Sequence, residues 1–309
     1  MPISGELGPA LLAGSLWALS APVISAALAR ARASRLPAVL IVACGLYVAL
    51  LAGFVTIWVA SGFASPVQEL NLAVVLGGLF TFPLGTGLYY LCAAAFADRA
   101  AVASQFSNVK PLFSILAGVL IFGEPLTWDG VLAAALIVMG VGVMLAGTLA
   151  RRIDATPIAI GLALAICWSC GEAFVRAATG GASTLHITLG ALFWSILVTT
   201  PVVGILLFSR GGGAVLRKPG LAPVLLPFAL HGVLSFGAAY YFFFHSIGAI
   251  GLSRTVMITV AWPALALLID VGLRAARRQP MDLRPTTIAG MALFTLAAVL
   301  HVLPFGQAA

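Results

Sequence analysis

Apolar runs of about twenty residues follow one another along almost the whole 309-residue chain, with only short breaks between them. A helix rises about 1.5 Å per residue, so each run matches a hydrocarbon core about 30 Å thick. The runs occupy residues 8–28, 36–60, 72–96, 101–121, 128–149, 157–178, 185–208, 223–245, 252–271 and 286–302. Backbone amides find no water inside a bilayer, so each run is expected to be a helix; the shorter alternating segments of a membrane barrel do not occur in the sequence. Only 8 % of the residues are charged, against about 25 % in an ordinary soluble domain. The expected class is therefore an all-α integral membrane protein with ten transmembrane helices. Glu6 is the only charge before the first run, which lacks a basic flank and a small-residue cleavage site, so that run is expected to be a retained helix and not a signal peptide.

The chain is also written twice. Trp17 recurs as Trp168, the pair Tyr89 and Tyr90 as Tyr240 and Tyr241, and Pro111 as Pro263, a spacing of 151 or 152 residues. With only 5 Tyr in the chain, two adjacent pairs in equivalent places point to duplication. Residues 1–150 and 151–309 are accordingly read as two five-helix units, joined too closely at 150–156 to be independent domains. Five is odd, so the second unit enters the membrane from the opposite side. Inverted repeats of this kind belong to secondary transporters whose halves rock about a midplane site.

The formal net charge of +7 does not mark a nucleic-acid binder, because the basic residues form no continuous arm. They punctuate the apolar runs instead. Arg30, Arg32 and Arg35 follow the first run, Arg99 the third, and Arg151 and Arg152 the fifth. Arg210, Arg217 and Lys218 follow the seventh, and Arg274, Arg277, Arg278 and Arg284 the ninth. By the positive-inside rule the odd-numbered connections are expected in the cytoplasm and both termini outside it, in a cell membrane such as the bacterial inner membrane.

The stretch Asn108 to Phe113, reading NVKPLF, is followed by Gly118 to Thr127, reading GVLIFGEPLT, and by a small-residue helix reaching Gly140 and Gly142. This pattern resembles the EamA-type unit of the drug/metabolite transporter superfamily. The resemblance implies a ten-helix transporter built from duplicated five-helix units. The second unit keeps Pro263 but has Ala275 and Ala276 where Gly-Glu is expected. Family members usually hold both termini in the cytoplasm, the reverse of what the charges here indicate.

Polar residues inside apolar runs are the candidates for function. Lys110 falls nine residues into the fourth run, about 13 Å from its end, where a lysine costs about 2.5 kcal/mol or more on insertion scales. It should face a wet cavity, as a substrate contact, or a carboxylate that merely holds helices together. Pro111 donates no backbone hydrogen bond and is read, with Pro263, as a hinge that frees carbonyls. Asn108 is either a substrate hydrogen-bonder or a bond to a neighbouring helix, and Gln105 lies on a different face. Glu172 is followed by Arg176 at the i, i+4 position of an ion pair. That pair would neutralise itself; alternatively Glu172 couples protons, or reaches Lys110. His231, near the middle of the eighth run, is a second coupling candidate or a helix-to-helix hydrogen bonder. His245 and Arg254 are placed near one membrane face and Asp270 near the other, with His186 and His301 at helix ends.

Trp17 and Trp168 lie too deep for an interfacial belt and are read, with Tyr90, Tyr241 and Trp262, as aromatic walls of a cavity, although several aromatics could simply mark the interface. Cys44, Cys92, Cys167 and Cys170 all fall inside apolar runs, where Cys167 and Cys170 place two small side chains on one face; no disulfide, metal or cofactor is expected. No phosphate loop, HExxH motif or GxSxG elbow occurs, so neither an ATP-driven pump nor a familiar hydrolase is indicated. The expected function is secondary or facilitative transport, in the export direction, of a small metabolite bearing a carboxylate or phosphate, such as an amino acid or organic anion. A lipid-phosphate carrier and a membrane-embedded enzyme are the rivals. The expected partners are that small molecule, the bilayer and a coupling proton, in a monomer or homodimer.

Overall fold

The structure, a computed structural model, describes residues 4–33, 37–67, 71–95, 108–149, 155–209, 221–276, 278 and 284–302. The regular elements among the described residues are all helices, with no strand. Among the described residues, eight helices are long and apolar enough to cross a membrane: α1 Glu6–Arg30, α2 Ala38–Ala60, α3 Leu72–Ala94, α5 Trp128–Ala146, α6 Ile158–Ala178, α7 Thr184–Phe208, α8 Pro223–Ile250 and α9 Leu252–Ala276. Two shorter apolar helices are also described, α4 Lys110–Phe122 and α10 Pro285–Leu300. The protein is an integral membrane protein. Phe208, 91 % exposed, and Leu120, 77 % exposed, show how freely large apolar side chains cover its outer surface, a surface suited to lipid. Gln105 and the basic residues Arg35, Arg99, Arg151, Arg152, Arg210, Arg217, Lys218 and Arg277 lie outside the described residues.

Helix ends follow local chemistry. The Asn71 side chain accepts a 2.8 Å hydrogen bond from the Ala73 amide and starts α3. Gly123, at φ +63°, closes α4 in the left-handed conformation, and the Glu124 amide returns to the Gly118 carbonyl at 3.0 Å. Only Gly251, at φ +87°, separates α8 from α9.

Four helices have features that set their shape around the centre. The α4 helix starts at Lys110, with Pro111 in its first turn and Asn108 and Val109 in a turn before it. Lys110 therefore stands at a helix start, not nine residues deep. Pro111 caps the helix at the place where its missing N–H costs nothing, so it does not loosen a turn from within. The α9 helix is broken at Val260 and Ala261 into Leu252–Thr259 and Trp262–Ala276, and Pro263 likewise sits in the first turn after the break. In α3 and α8 the regular helix widens into π-helix at Phe80–Thr86 and Gly232–Ala239. These two segments begin 152 residues apart, in step with the sequence repeat. Pro83 lies inside the first, and because it lacks an N–H the ladder around it must shift.

The packing has a matching regularity. Helix α1 packs on α8 and α9, and α6 packs on α3 and α4; α2 meets α8 and α7 meets α3; α2 pairs with α7, α4 with α9 and α5 with α10. Exchanging each helix with the one five places along leaves this set of neighbours unchanged. Small residues make the closest crossings possible. A Cβ on Gly78 would collide with the Ala191 backbone of α7, and one on Gly232 with the Ala49 backbone of α2. Gly78→Val and Gly232→Val are each expected to destabilise the protein by about 1–3 kcal/mol or more, since backbone cannot give way as a side chain can. Gly142→Val, where a Cβ meets nothing within 4 Å, should change the thermal midpoint little; equal midpoints for all three variants would refute the close-packing account.

Candidate functional site

The turn before α4 and the break within α9 open onto the same space. A cavity of about 110 Å³ lies between the two halves, lined by Trp17 and Ser20 of α1, Tyr89 and Tyr90 of α3, Asn108, Lys110 and Pro111 at the start of α4, Trp168 of α6, His231, Phe236 and Tyr240 of α8, and Trp262 and Pro263 of α9. Nine of the residues singled out in the sequence thus converge: Trp17, Tyr90, Asn108, Lys110, Pro111, Trp168, His231, Trp262 and Pro263. Glu172, Arg176 and Tyr241 do not line it.

Lys110 forms an ion pair with Glu172, with relative side-chain exposures of 17 % and 2 %. Its ammonium also lies 5.8 Å from the Trp17 ring centre and 5.2 Å from that of Phe243, within the range of attraction by an aromatic face. The other carboxylate oxygen of Glu172 accepts a 2.6 Å hydrogen bond from the Ser114 hydroxyl. Ser169, 3.0 Å from Ser114, donates at 3.0 Å to the Lys110 carbonyl, so the charge pair is laced to the backbone at the helix start. A buried carboxylate is tolerable only when paired and hydrogen-bonded, and Glu172 has both kinds of partner.

Arg176 is not that partner. Its guanidinium turns away to Glu124, donating from Nε at 2.9 Å. Glu124 also accepts from the amides of Leu252 and Ser253 at 2.7 and 2.8 Å, capping the N-terminus of α9. A loop of the first half is thereby tied to two helices of the second. Burial alone would raise the Glu124 pKa, but the hydrogen bonds from Ser253, Leu252 and Arg176 outweigh it and hold the carboxyl below its ordinary value of 4.5. In the second unit Ala275 and Ala276 stand where Gly-Glu would be, so the tie has no mirror image there.

The aromatic wall runs from Trp17 to Tyr240, ring centres 5.1 Å apart, and on to Phe82, 4.9 Å from Tyr240. Trp168 is fixed by its indole N–H, which donates to the Thr81 carbonyl at 3.2 Å, within the π-helical segment of α3. The Thr86 hydroxyl donates to the same carbonyl at 3.1 Å. Tyr241 instead stacks on His245, ring centres 6.4 Å apart. Its neighbour Tyr240 takes the cavity position, and Tyr89 and Phe236 join it; these three were not singled out for the site from the sequence. Consecutive residues of a helix point about 100° apart, so a Tyr-Tyr pair signals an aromatic wall without saying which ring forms it.

Of the remaining candidates, Asp270 and Arg274 form an exposed i, i+4 pair at 2.8 Å, and His186 Nδ1 lies 2.7 Å from the Ser183 hydroxyl. The His301 side chain lies outside the described residues. All four cysteines are free, and no group of three or more metal-ligating side chains occurs among the described residues.

A charged pair at a helix start beside an aromatic cavity, built from helix pairs exchanged between two halves, can be set beside known proteins. Residues 7–146 match the EamA-like transporter family. The first half of the chain is thus similar to an EamA-like transporter domain. That domain supplies Trp17, Tyr90, Lys110 and Glu124, whereas Trp168, Glu172 and His231 come from the half beyond it. Two curated relatives are each described as a probable amino-acid metabolite efflux pump. The one from Escherichia coli (strain K12) is 29 % identical over 136 residues, 44 % of either chain. The one from Salmonella typhimurium (strain LT2) is 27 % identical over 142 residues, 46 % of either chain. The similarity thus spans under half the length of these relatives. A solved crystal structure superposes over 96 % of both chains with a TM-score of 0.66 at 21 % identity, which shows a shared fold.

Proposed function

We propose that this protein is a secondary transporter that exports a small metabolite bearing a carboxylate or phosphate, an amino acid or organic anion, by alternating access between two inverted five-helix repeats, 1–150 and 151–309. The neighbour set that survives exchange of the halves and the paired π-helical segments support the repeat. The observation that carries the substrate class is Lys110 at the start of α4, paired to Glu172 and opening on an aromatic cavity. The Lys110 ammonium at this helix start favours an anionic group. An arriving carboxylate competes with Glu172 for Lys110, while the aromatic wall takes the apolar remainder. If Glu172 gains a proton as the substrate binds, the buried site keeps its net charge, which makes Glu172 the coupling group in preference to His231. The EamA domain and relatives named efflux pumps favour transport over catalysis and export over uptake.

Purified protein in proteoliposomes loaded with labelled amino acids provides the test. Lys110→Ala, reconstituted to the same density, is expected to lower flux at least about tenfold, as for loss of a charge-assisted contact. Normal flux in that variant would count decisively against the site. Equal rates with and without a pH gradient would remove proton coupling. The basic connections after α1, α3, α5, α7 and α9 are taken to face the cytoplasm. Arg152→Cys should therefore resist a membrane-impermeant thiol reagent in intact cells and react in inverted vesicles; labelling the other way round reverses the orientation.

A further inference from the structure

Among the described residues, three buried side-chain atoms have no hydrogen-bond partner: Thr81 Oγ1, Tyr90 OH and His231 Nδ1. Two of the three belong to cavity-lining residues, Tyr90 at 0 % and His231 at 7 % exposure. Their rings meet edge-to-face with centres 5.8 Å apart. A buried polar atom left unmatched destabilises a fold, so two of them on ring neighbours that line one cavity point to a ligand group that completes them. We propose that Tyr90 and His231 form a second, neutral polar subsite, which takes a hydroxyl or carboxamide on the substrate. This rests on the reading of the cavity as the transport site.

The chemistry selects that class of group. A phenol both donates and accepts, and the His231 ring, which hydrogen-bonds the Ser20 backbone, leaves Nδ1 to donate or accept according to its tautomer. Hydroxyls and carboxamides likewise combine both roles, whereas an aliphatic tail offers neither. The subsite stands apart from the charged one. Lys110 lies against Trp17, Trp17 against Tyr240, Tyr240 6.4 Å from Phe236, and Phe236 5.4 Å from His231. A row of aromatic rings thus separates the two poles. The matching ligand has a charged amino-acid head at Lys110 and Glu172, a short apolar middle, and a hydroxyl or amide at its far end. A cavity of about 110 Å³ confines it to a small molecule.

Matched ligands differing by one oxygen test this on the purified full-length protein: homoserine against 2-aminobutyrate, and tyrosine against phenylalanine, by calorimetric titration. The hydroxylated member of at least one pair is expected to bind at least about tenfold tighter, as in sites built to satisfy a substrate hydroxyl. Tyr90→Phe, which keeps the ring and its packing, should bring that ratio to within about threefold by weakening the hydroxylated member alone. His231→Leu should do the same by an independent route. Equal affinities within both pairs for the unaltered protein, or a preference untouched in both variants, would overturn the subsite and leave the transport reading standing. Failure of all four ligands to bind the unaltered protein, or their undiminished binding to Lys110→Ala, would overturn both.

Discussion

Lys110→Met is expected to destabilise the protein by about 3–5 kcal/mol, the range for stranding one member of a buried ion pair. The reason lies in the asymmetry of the pair. Glu172 is 2 % exposed, so without the ammonium its carboxylate keeps only the Ser114 hydroxyl. Lys110 is 17 % exposed, lines the cavity and lies near two aromatic faces, so Glu172→Gln should cost less. The double variant Lys110→Met with Glu172→Gln should recover at least about half of the single Lys110 loss, because replacing both partners leaves no unpaired charge. Arg274 supplies the control. Its pair with Asp270 has both side chains nearly half exposed, at 48 % and 45 %, and its removal should cost under about 0.5 kcal/mol. Unfolding of the purified variants by denaturant would measure all four. Strict additivity of the two single changes would show that the pair contributes nothing to stability.

Glu124→Gln is expected to lower stability by about 1–3 kcal/mol and to change how stability depends on pH. Three donors converge on this carboxylate, the amides of Leu252 and Ser253 and the Arg176 guanidinium. An amide side chain offers one oxygen in place of two and no charge, so the cap on α9 and the tie to α6 both weaken. Because folding holds the Glu124 pKa below its ordinary 4.5, its stabilisation is fully present above about pH 4.5 and fades as pH falls through the lowered value. The difference in thermal midpoint between the unaltered protein and Glu124→Gln should therefore be constant from pH 7 to about 5 and shrink on further acidification. A gap that stays the same down to pH 3 would mean the carboxylate charge is not what matters.

Much of the site was legible because intramembrane polarity is expensive. A lysine in an apolar run must be answered by something, and Lys110 duly meets a carboxylate and a cavity. Which carboxylate was not legible. Glu172 and Arg176 have the spacing of an intrahelical pair, yet each found a partner on another element, Lys110 and Glu124. Local spacing gives only a few tenths of a kcal/mol to an i, i+4 pair, too little to compete with the needs of a nearly fully buried charge. The π-helical segments were equally hidden. Pro83 marks the first, but the second contains no proline, and its widened turns lie where glycines let α2 approach closely.

The number and length of the apolar runs, the 151- to 152-residue repeat and the presence of Lys110 within an apolar run can all be read along the chain, because bilayer thickness and the cost of a buried charge act on every membrane helix alike. Tertiary structure alone decided that Lys110 begins a helix, that it answers Glu172, that Tyr240 and not Tyr241 faces the cavity, and that Glu124 binds the halves together. Those choices depend on how the helices rotate and approach one another. Differences of a few kcal/mol among distant partners settle that rotation, and no local pattern records them.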